Sequence, residues 1–327
     1  MKTKNKVWLI LAALITVFGC LIFALALYLG KWDIKMLSTD KFETETYEIR
    51  EDFQNIKIDI DTSDIKFLPS ETENAKVICK ERINEKHEVS VTDNTLTVIL
   101  NDQRNWTDYI SFFSFESPKI TVYLPGEEYL SLKIDTDTGD IEIPKDFNFK
   151  DIEVNGSTAD VKCLASAHED IKIKVSTGDI TLSSLKAKNL DLAVSTGDII
   201  AESINCSGDI AVKVSTGKTT LTNITCKNLV SDGNTGDMNL SGILAQECFN
   251  IERSTGDIKL TDCDAAEIEM ETSTGNIKGN FKTSKIFNIL KQAPTNVVEE
   301  CFSIRHLPCL TNTSHSLTPN ATPLSYF

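Results

Sequence analysis

Ser176-Thr177-Gly178-Asp179-Ile180, followed by Ser195-Thr196-Gly197-Asp198-Ile199, is the stretch that decides the fold. The phrase recurs from residue 130 onward. It reads Asp137-Thr138-Gly139-Asp140-Ile141, Ser157-Thr158-Ala159-Asp160-Val161, Ser215-Thr216-Gly217-Lys218, Asn234-Thr235-Gly236-Asp237-Met238, Ser254-Thr255-Gly256-Asp257-Ile258 and Ser273-Thr274-Gly275-Asn276-Ile277 in the other copies. The glycine positions step by 20, 19, 19, 20, 19, 20 and 19 residues. A period near twenty, kept through so many turns, marks a solenoid.

Hydrophobic columns flank the phrase. Seven residues before the glycine position stand Leu132, Ile152, Ile171, Leu190, Ile210, Leu229, Phe249 and Ile268. Five before stand Ile134, Val154, Ile173, Leu192, Val212, Ser231, Ile251 and Met270. Two after stand Ile141, Val161, Ile180, Ile199, Thr219, Met238, Ile258 and Ile277, and four after stand Ile143, Cys163, Leu182, Ala201, Leu221, Leu240, Leu260 and Gly279. Steps of two on both sides predict two short strands per coil with alternate residues inward. Ser-Thr-Gly-Asp between them is turn chemistry: glycine takes positive φ, and Asp or Ser bonds nearby backbone. No helical period is long enough to form a crossover, so the coils stack directly. The fold class is all-β, a parallel β-solenoid of about eight 19–20-residue coils. At ~4.8 Å per coil the rod is about 38 Å long.

Composition narrows the partners. The 327 residues carry 33 Lys+Arg against 48 Asp+Glu, a net charge of -15, which argues against nucleic acid. Four His and nine Cys without a Cys-x-x-Cys pair exclude zinc-ribbon and thioredoxin readings. Cys206 and Cys226 share a column with Ala187, Ala245 and Ala265, which reads as a tight inward corner. One coil apart, at the short end of disulfide Cα distances, they could bridge, but free thiols packed as small hydrophobes are the favoured reading.

Residues 7–29 form an uncharged apolar run. At ~1.5 Å per residue it spans about 34 Å, enough for a bilayer core and too long for a signal-peptide core. Cys20 after Val17-Phe18-Gly19 faintly resembles an acylation site, but the apolar run continues to Leu29, so a transmembrane helix is expected. Lys2, Lys4 and Lys6 place the N-terminus in the cytoplasm and the rest outside, with Trp8, Tyr28 and Trp32 as interfacial anchors. The expected organisation is a cytoplasmic N-terminus (1–6), a transmembrane helix (7–29), a linker (30–44), a β-rich cap with degenerate coils (45–130), the solenoid (131–289) and an aberrant tail (290–327). Within the cap, Thr62-Ser63-Asp64-Ile65 is a degenerate copy of the phrase. Val89 and Val91, then Leu96, Val98 and Leu100, flank Asp93-Asn94 as a hairpin. This segment would hide the open edges of the membrane-proximal end.

The pattern stops after Ile289, where another turn is due near residue 294. Codon degeneracy from residue 290 permits a shifted frame reading Glu-Thr-Ser-Thr, 19 residues after Glu271-Thr272-Ser273-Thr274. The tail is therefore expected to be disordered and out of frame; the other reading is a native Ser/Thr/Pro-rich tail.

The apolar anchor, the strand Ile120-Thr121-Val122-Tyr123-Leu124-Pro125 and the tandem Ser-Thr-Gly-Asp-Ile coils resemble the bacterial "putative adhesin" repeat family, including LiaG-like membrane proteins of Gram-positive bacteria. The resemblance covers roughly residues 45–289. It implies a β-solenoid on the outer membrane face, linked in some members to envelope stress, and brings no catalytic motif. Family members continue with further Thr/Ser-Gly-Asp turns where this chain departs.

Three chemistries compete on the solenoid. The column Asp140, Asp160, Asp179, Asp198, Asp237 and Asp257 invites calcium, with Asp179, Asp198, Asp237 and Asp257 the metal candidates. Calcium wants roughly six to eight oxygens, and Lys218 and Asn276 interrupt the column, so solvated turn caps are favoured. The Thr column from Thr138 to Thr274 is an ordinary ladder; its place in a turn gives no flat ice-binding face. A β-helix polysaccharide-active enzyme needs two carboxylates about 5–10 Å apart, and its site would break the repeat. The breaks are Lys218 and Arg253, while His87 and His168 read as isolated and unpaired. The expectation is no catalytic residues, no cofactor, and a surface scaffold meeting the membrane through its helix and a wall polymer or envelope protein through its polar faces.

Overall fold

The structure, a computed structural model, describes residues 3–29, 41–102, 116–126, 128–283 and 288–290. The expected tail after residue 290 lies outside the described residues, as does most of the 30–44 linker. Helix α1 (Thr3–Leu29) contains Ile10–Leu29, 20 residues long and apolar enough to cross a membrane. All other regular structure among the described residues is β.

Eight coils between residues 128 and 281 each give one strand to each of two facing sheets. Asp170–Thr177 and Ile180–Ser183 form one such coil. Coils pair in parallel and in register, Ile171 opposite Leu190 and Ile173 opposite Leu192. Asn288–Leu290 adds one more strand, Asn288 opposite Glu269, so the 19-residue register persists to the last described residue. The core is the set of columns legible in sequence: the eight residues seven before the glycine position are all buried. Cys163 and Cys263 are buried free thiols in their aliphatic columns; Cys206 and Cys226 are buried and unbridged.

The corner is tighter than the expected four-residue turn. Strands run through Ser and Thr, and only Gly-Asp turns, so the Thr column is the last rung of a sheet, Thr177 opposite Thr196 and Thr196 opposite Thr216. Glycines at the corner have φ between 129° and 151°. Stacking adds a second constraint: a Cβ on Gly197 would fall on the Gly178 carbonyl oxygen of the preceding coil. A second bend escaped the sequence reading. Six residues after the glycine, Ser184, Ser203, Asn223, Gly242 and Asp262 all have φ between 53° and 65°. Small polar residues and glycine tolerate that left-handed region best.

The cap is built from strands β1 (Phe42–Ile49), β2 (Asn55–Thr62), β3 (Asp64–Pro69), β4 (Ala75–Arg82), β5 (Glu85–Thr92), β6 (Thr95–Asp102) and β7 (Lys119–Leu124). Strands β2 and β3 form a true coil around Thr62-Ser63-Asp64-Ile65, lying against the first solenoid coil with Thr62 opposite Thr138. Strands β6 and β7 form another coil on the far side of it, parallel to β2 and β3. The first two coils thus stack in the reverse of chain order. Beyond them β5 pairs β6, β4 pairs β7 and β1 pairs β4, all antiparallel. Asp93 and Asn94, at φ 49° and 61°, make the expected two-residue hairpin between β5 and β6.

Gly197→Ala should lower stability by roughly 1–3 kcal/mol, because both φ and the neighbouring carbonyl oppose a Cβ. Hydrogen exchange should localise the loss to the adjoining coils, since repeat arrays open from neighbour to neighbour. Unchanged exchange there would show that the corner has room.

Candidate functional site

The Asp column is hydrogen-bonded along the rod. Oδ1 of Asp160 accepts the backbone N–H of Asp179 at 2.8 Å, Asp179 that of Asp198 at 2.7 Å, and Asp198 that of Lys218 at 2.7 Å. Asp237 accepts from Asp257 at 2.9 Å, and Asp257 from Asn276 at 2.8 Å. The degenerate coil joins in, Asp64 accepting from Asp140 at 3.1 Å. Each of the calcium candidates Asp179, Asp198, Asp237 and Asp257 therefore already serves the coil above it. Lys218 breaks the relay in one direction only: its N–H donates, but it has no oxygen to offer the next coil. A second ladder, missed in sequence, runs along the opposite corner eight residues before the glycine. There Asn189 Oδ1 accepts the Asp209 N–H at 3.1 Å, and Asn228 Nδ2 donates to Asp209 Oδ1 at 2.7 Å.

These ladders border shallow troughs. One, about 560 Å³, crosses successive coils along Ser157, Ser176, Ser195 and Ser215. Its charge is graded: Asp59, Asp61, Asp135 and Asp137 line the end nearer the cap, Lys174 and Lys213 the other. Smaller troughs flank the Gly-Asp corner, one lined by Asp140, Glu142, Asp160, Lys162, Asp179 and Thr181.

Two repeat-breaking features lie inside. Arg253, only 1% exposed, replaces a core valine. Its Nη2 donates to Thr219 Oγ1 at 2.9 Å and Ser231 Oγ at 3.2 Å, while Nε and Nη1 have no hydrogen-bond partner. Burial pushes its pKa down. Gly233, paired with it in the preceding coil, leaves the space that Nη1 fills. Thr219, Ser231 and Gly233 are thus the companions of one buried guanidinium rather than random degeneracy.

The other feature corrects the reading of His87 as isolated. Cys79 and Glu81 both point inward from β4, and antiparallel β1 sets Glu45 opposite Cys79 and Glu43 opposite Glu81. From β5, His87 meets them: its backbone N–H donates to Glu81 Oε2 at 2.7 Å, and its Nδ1 lies 2.8 Å from the same oxygen. Tyr47 Oη donates to the His87 carbonyl at 2.8 Å. Lys86 Nζ lies 3.4 Å from Glu81 Oε1 and 3.5 Å from Glu45 Oε1, and it also pairs with Glu43. Burial, with the charges of Glu81 and Glu45, pushes the Cys79 thiol up to about 12. Sequence carries a signal for this cluster, Cys79-Lys80-Glu81 with His87 six residues on, but nothing in it says that β5 folds back over β4.

The exposed geometry is one of repetition, polar ladders and open troughs on a two-sheet rod. That is the architecture of a parallel β-solenoid repeat protein. The chain belongs to the Toastrack DUF4097 family, whose model matches residues 53–211 and 203–287. Similar solved structures include a "putative adhesin" from Bacteroides fragilis, 19% identical over 77% of this chain and 96% of that one, TM-score 0.43. A "putative lipid binding protein" from Parabacteroides distasonis is 16% identical over 76% of this chain and 97% of its own, TM-score 0.43. A "putative adhesin" from the same species is 11% identical over 77% and 98%, TM-score 0.39. No curated protein matches the chain in sequence.

Gly233→Ala should destabilise the protein by roughly 1–3 kcal/mol, because the new methyl overlaps Arg253. Arg253→Val should be neutral or stabilising, since a buried unpaired charge is replaced by the repeat's own residue. In the double variant the Gly233→Ala penalty should largely disappear, a coupling of about 1 kcal/mol or more. Additive losses in urea unfolding would mean that the two positions do not share one space.

Proposed function

We propose that this protein is a membrane-anchored interaction scaffold without enzymatic activity, held by α1 with its N-terminus cytoplasmic and its solenoid outside. The observation that carries this reading is the trough along Ser157, Ser176, Ser195 and Ser215, made of one position taken from successive coils. Hydroxyls repeated at ~4.8 Å along an axis suit an extended partner that carries its own repeat. The net charge of -15 disfavours polyanionic partners. A neutral or amine-bearing cell-wall polymer fits better, its amines drawn to Asp59, Asp61, Asp135 and Asp137. An envelope protein presenting an extended segment is the second class. The Asp column supports a structural role: Oδ1 of Asp179 and of Asp237 already accepts the backbone N–H of the next coil, and calcium wants roughly six to eight oxygens.

The test is retention of isolated wall polymers by the full-length protein in detergent, with calcium or with a chelator. Saturable, calcium-independent retention of intact polymer is expected. Ser176→Arg with Ser195→Arg, which fill the trough, should weaken it at least tenfold, on the order of the 1.4 kcal/mol that central contacts contribute. Cleaved polymer would move the protein to the enzyme class, and absence of retention would remove the wall polymer as partner.

A further inference from the structure

We propose that Cys79, Glu81 and His87 hold one divalent ion of the zinc class, with Glu43 or Glu45 completing its shell. Cys79 Sγ, a Glu81 oxygen and a His87 nitrogen all lie within 4.8 Å of one another, and so do oxygens of Glu43, Glu45 and Glu81. The two triads share Glu81 and come from three strands, β1, β4 and β5. Sulfur, imidazole and carboxylate together form the donor set of zinc and cobalt; magnesium and calcium want oxygen alone.

An independent observation points to a ligand. Glu81 is fully buried, and its Oε1 has no hydrogen-bond partner. Lys86 Nζ lies 3.4 Å away and is shared with Glu43 and Glu45. Buried carboxylate oxygens are normally satisfied, and such exceptions call for an explanation. A bound cation supplies one. Tetrahedral zinc at ~2.0–2.3 Å from each donor separates the donors by about 3.3–3.6 Å, so the 2.8 Å contact between His87 Nδ1 and Glu81 Oε2 would open by a few tenths of an ångström. Tyr47, donating to the His87 carbonyl, steadies the strand that carries the imidazole. Glu43, Glu45 and Lys86, whose side chains are 39%, 48% and 26% exposed, form the rim through which an ion would enter.

The location gives the ion a task. Strands β1 and β4 end one sheet and β5 ends the other, so a metal on Cys79, Glu81 and His87 would staple the two sheets together at the cap. The terminal coil of a solenoid lacks a neighbour on one side, and metal binding in such a place becomes folding free energy.

The test uses the full-length, tag-free protein in detergent, stripped with a chelator and titrated with Co(II), then Zn(II). One equivalent of Co(II) should bind with a thiolate-to-cobalt charge-transfer band and tetrahedral d–d absorption. Zn(II) should displace it and raise the Tm; calcium and magnesium should do neither. Cys79→Ser and His87→Gln should each weaken binding at least tenfold, and Asp179→Asn in the corner ladder should leave it unchanged. Absence of a thiolate band in the wild-type protein overturns the proposal whether or not the variants fold, as does undiminished Co(II) binding by folded Cys79→Ser. Polymer retention is read separately, so this site and the trough stand or fall independently.

Discussion

The interaction on which the rod depends is the hydrogen bond from a backbone N–H to the Asp Oδ1 of the coil before it. Within the strands peptide groups pair in register with the adjacent coil. At the Gly-Asp corner the backbone turns, and one N–H per coil is left without a carbonyl. Asp179 takes the N–H of Asp198, and Asp198 that of Lys218. The opposite corner solves the same problem with Asp and Asn, Asn189 accepting from Asp209. Carboxylates stacked in this way repel one another in isolation. Here each is bound to a backbone donor in solvent, where a high dielectric keeps the repulsion small.

Axial bonding has to end somewhere, and the manner of ending explains the cap. Each sheet of a parallel solenoid finishes in an open edge that invites further strands. At this end the chain finishes both sheets with antiparallel strands, β1 and β4 on one and β5 on the other. Placing the β6–β7 coil outside the β2–β3 coil leaves the latter free to accept the first solenoid coil, Asp64 taking the Asp140 N–H. Closure leaves the end of a hydrophobic core facing antiparallel strands. There Cys79, Glu81 and His87 take up inward positions of the kind that mostly aliphatic side chains fill in the rod.

The coils were legible because one physical constraint repeats: an inward position in one coil is inward in all. Residues such as Ile171 and Leu190 declare their faces through spacing alone. The spatial order of the first two coils was not legible, because alternation in β2 or β6 identifies a strand without naming its neighbour. The left-handed column at Ser184, Ser203, Asn223, Gly242 and Asp262 was hidden because Ser, Asn and Asp are also ordinary surface residues. Arg253 was visible as a break. Its meaning needed the register that sets it against Gly233 and near Ser231 and Thr219. His87 was misread because its partner Glu81 lies across a strand-to-strand return that no local pattern encodes.

The same contrast separates the two kinds of chemistry in the molecule. A ladder spends its side chains on the next coil, so its residues recur, and what remains for a partner is a periodic surface. The Ser trough is of that kind, and its specificity must come from matching a repeat distance and a charge gradient. The buried features are singular. Arg253 keeps three neighbouring positions small or polar, and Glu81 keeps in the core of the cap an oxygen with no hydrogen bond, 3.4 Å from Lys86 Nζ. Such departures cost folding free energy, as the regular coils do not. Arg253 is fitted by its neighbours and closed to solvent. The Glu81 cluster is buried as well, but it borders the part-exposed Glu43, Glu45 and Lys86, and a negative site with soft and hard donors side by side is one whose cost a cation would offset.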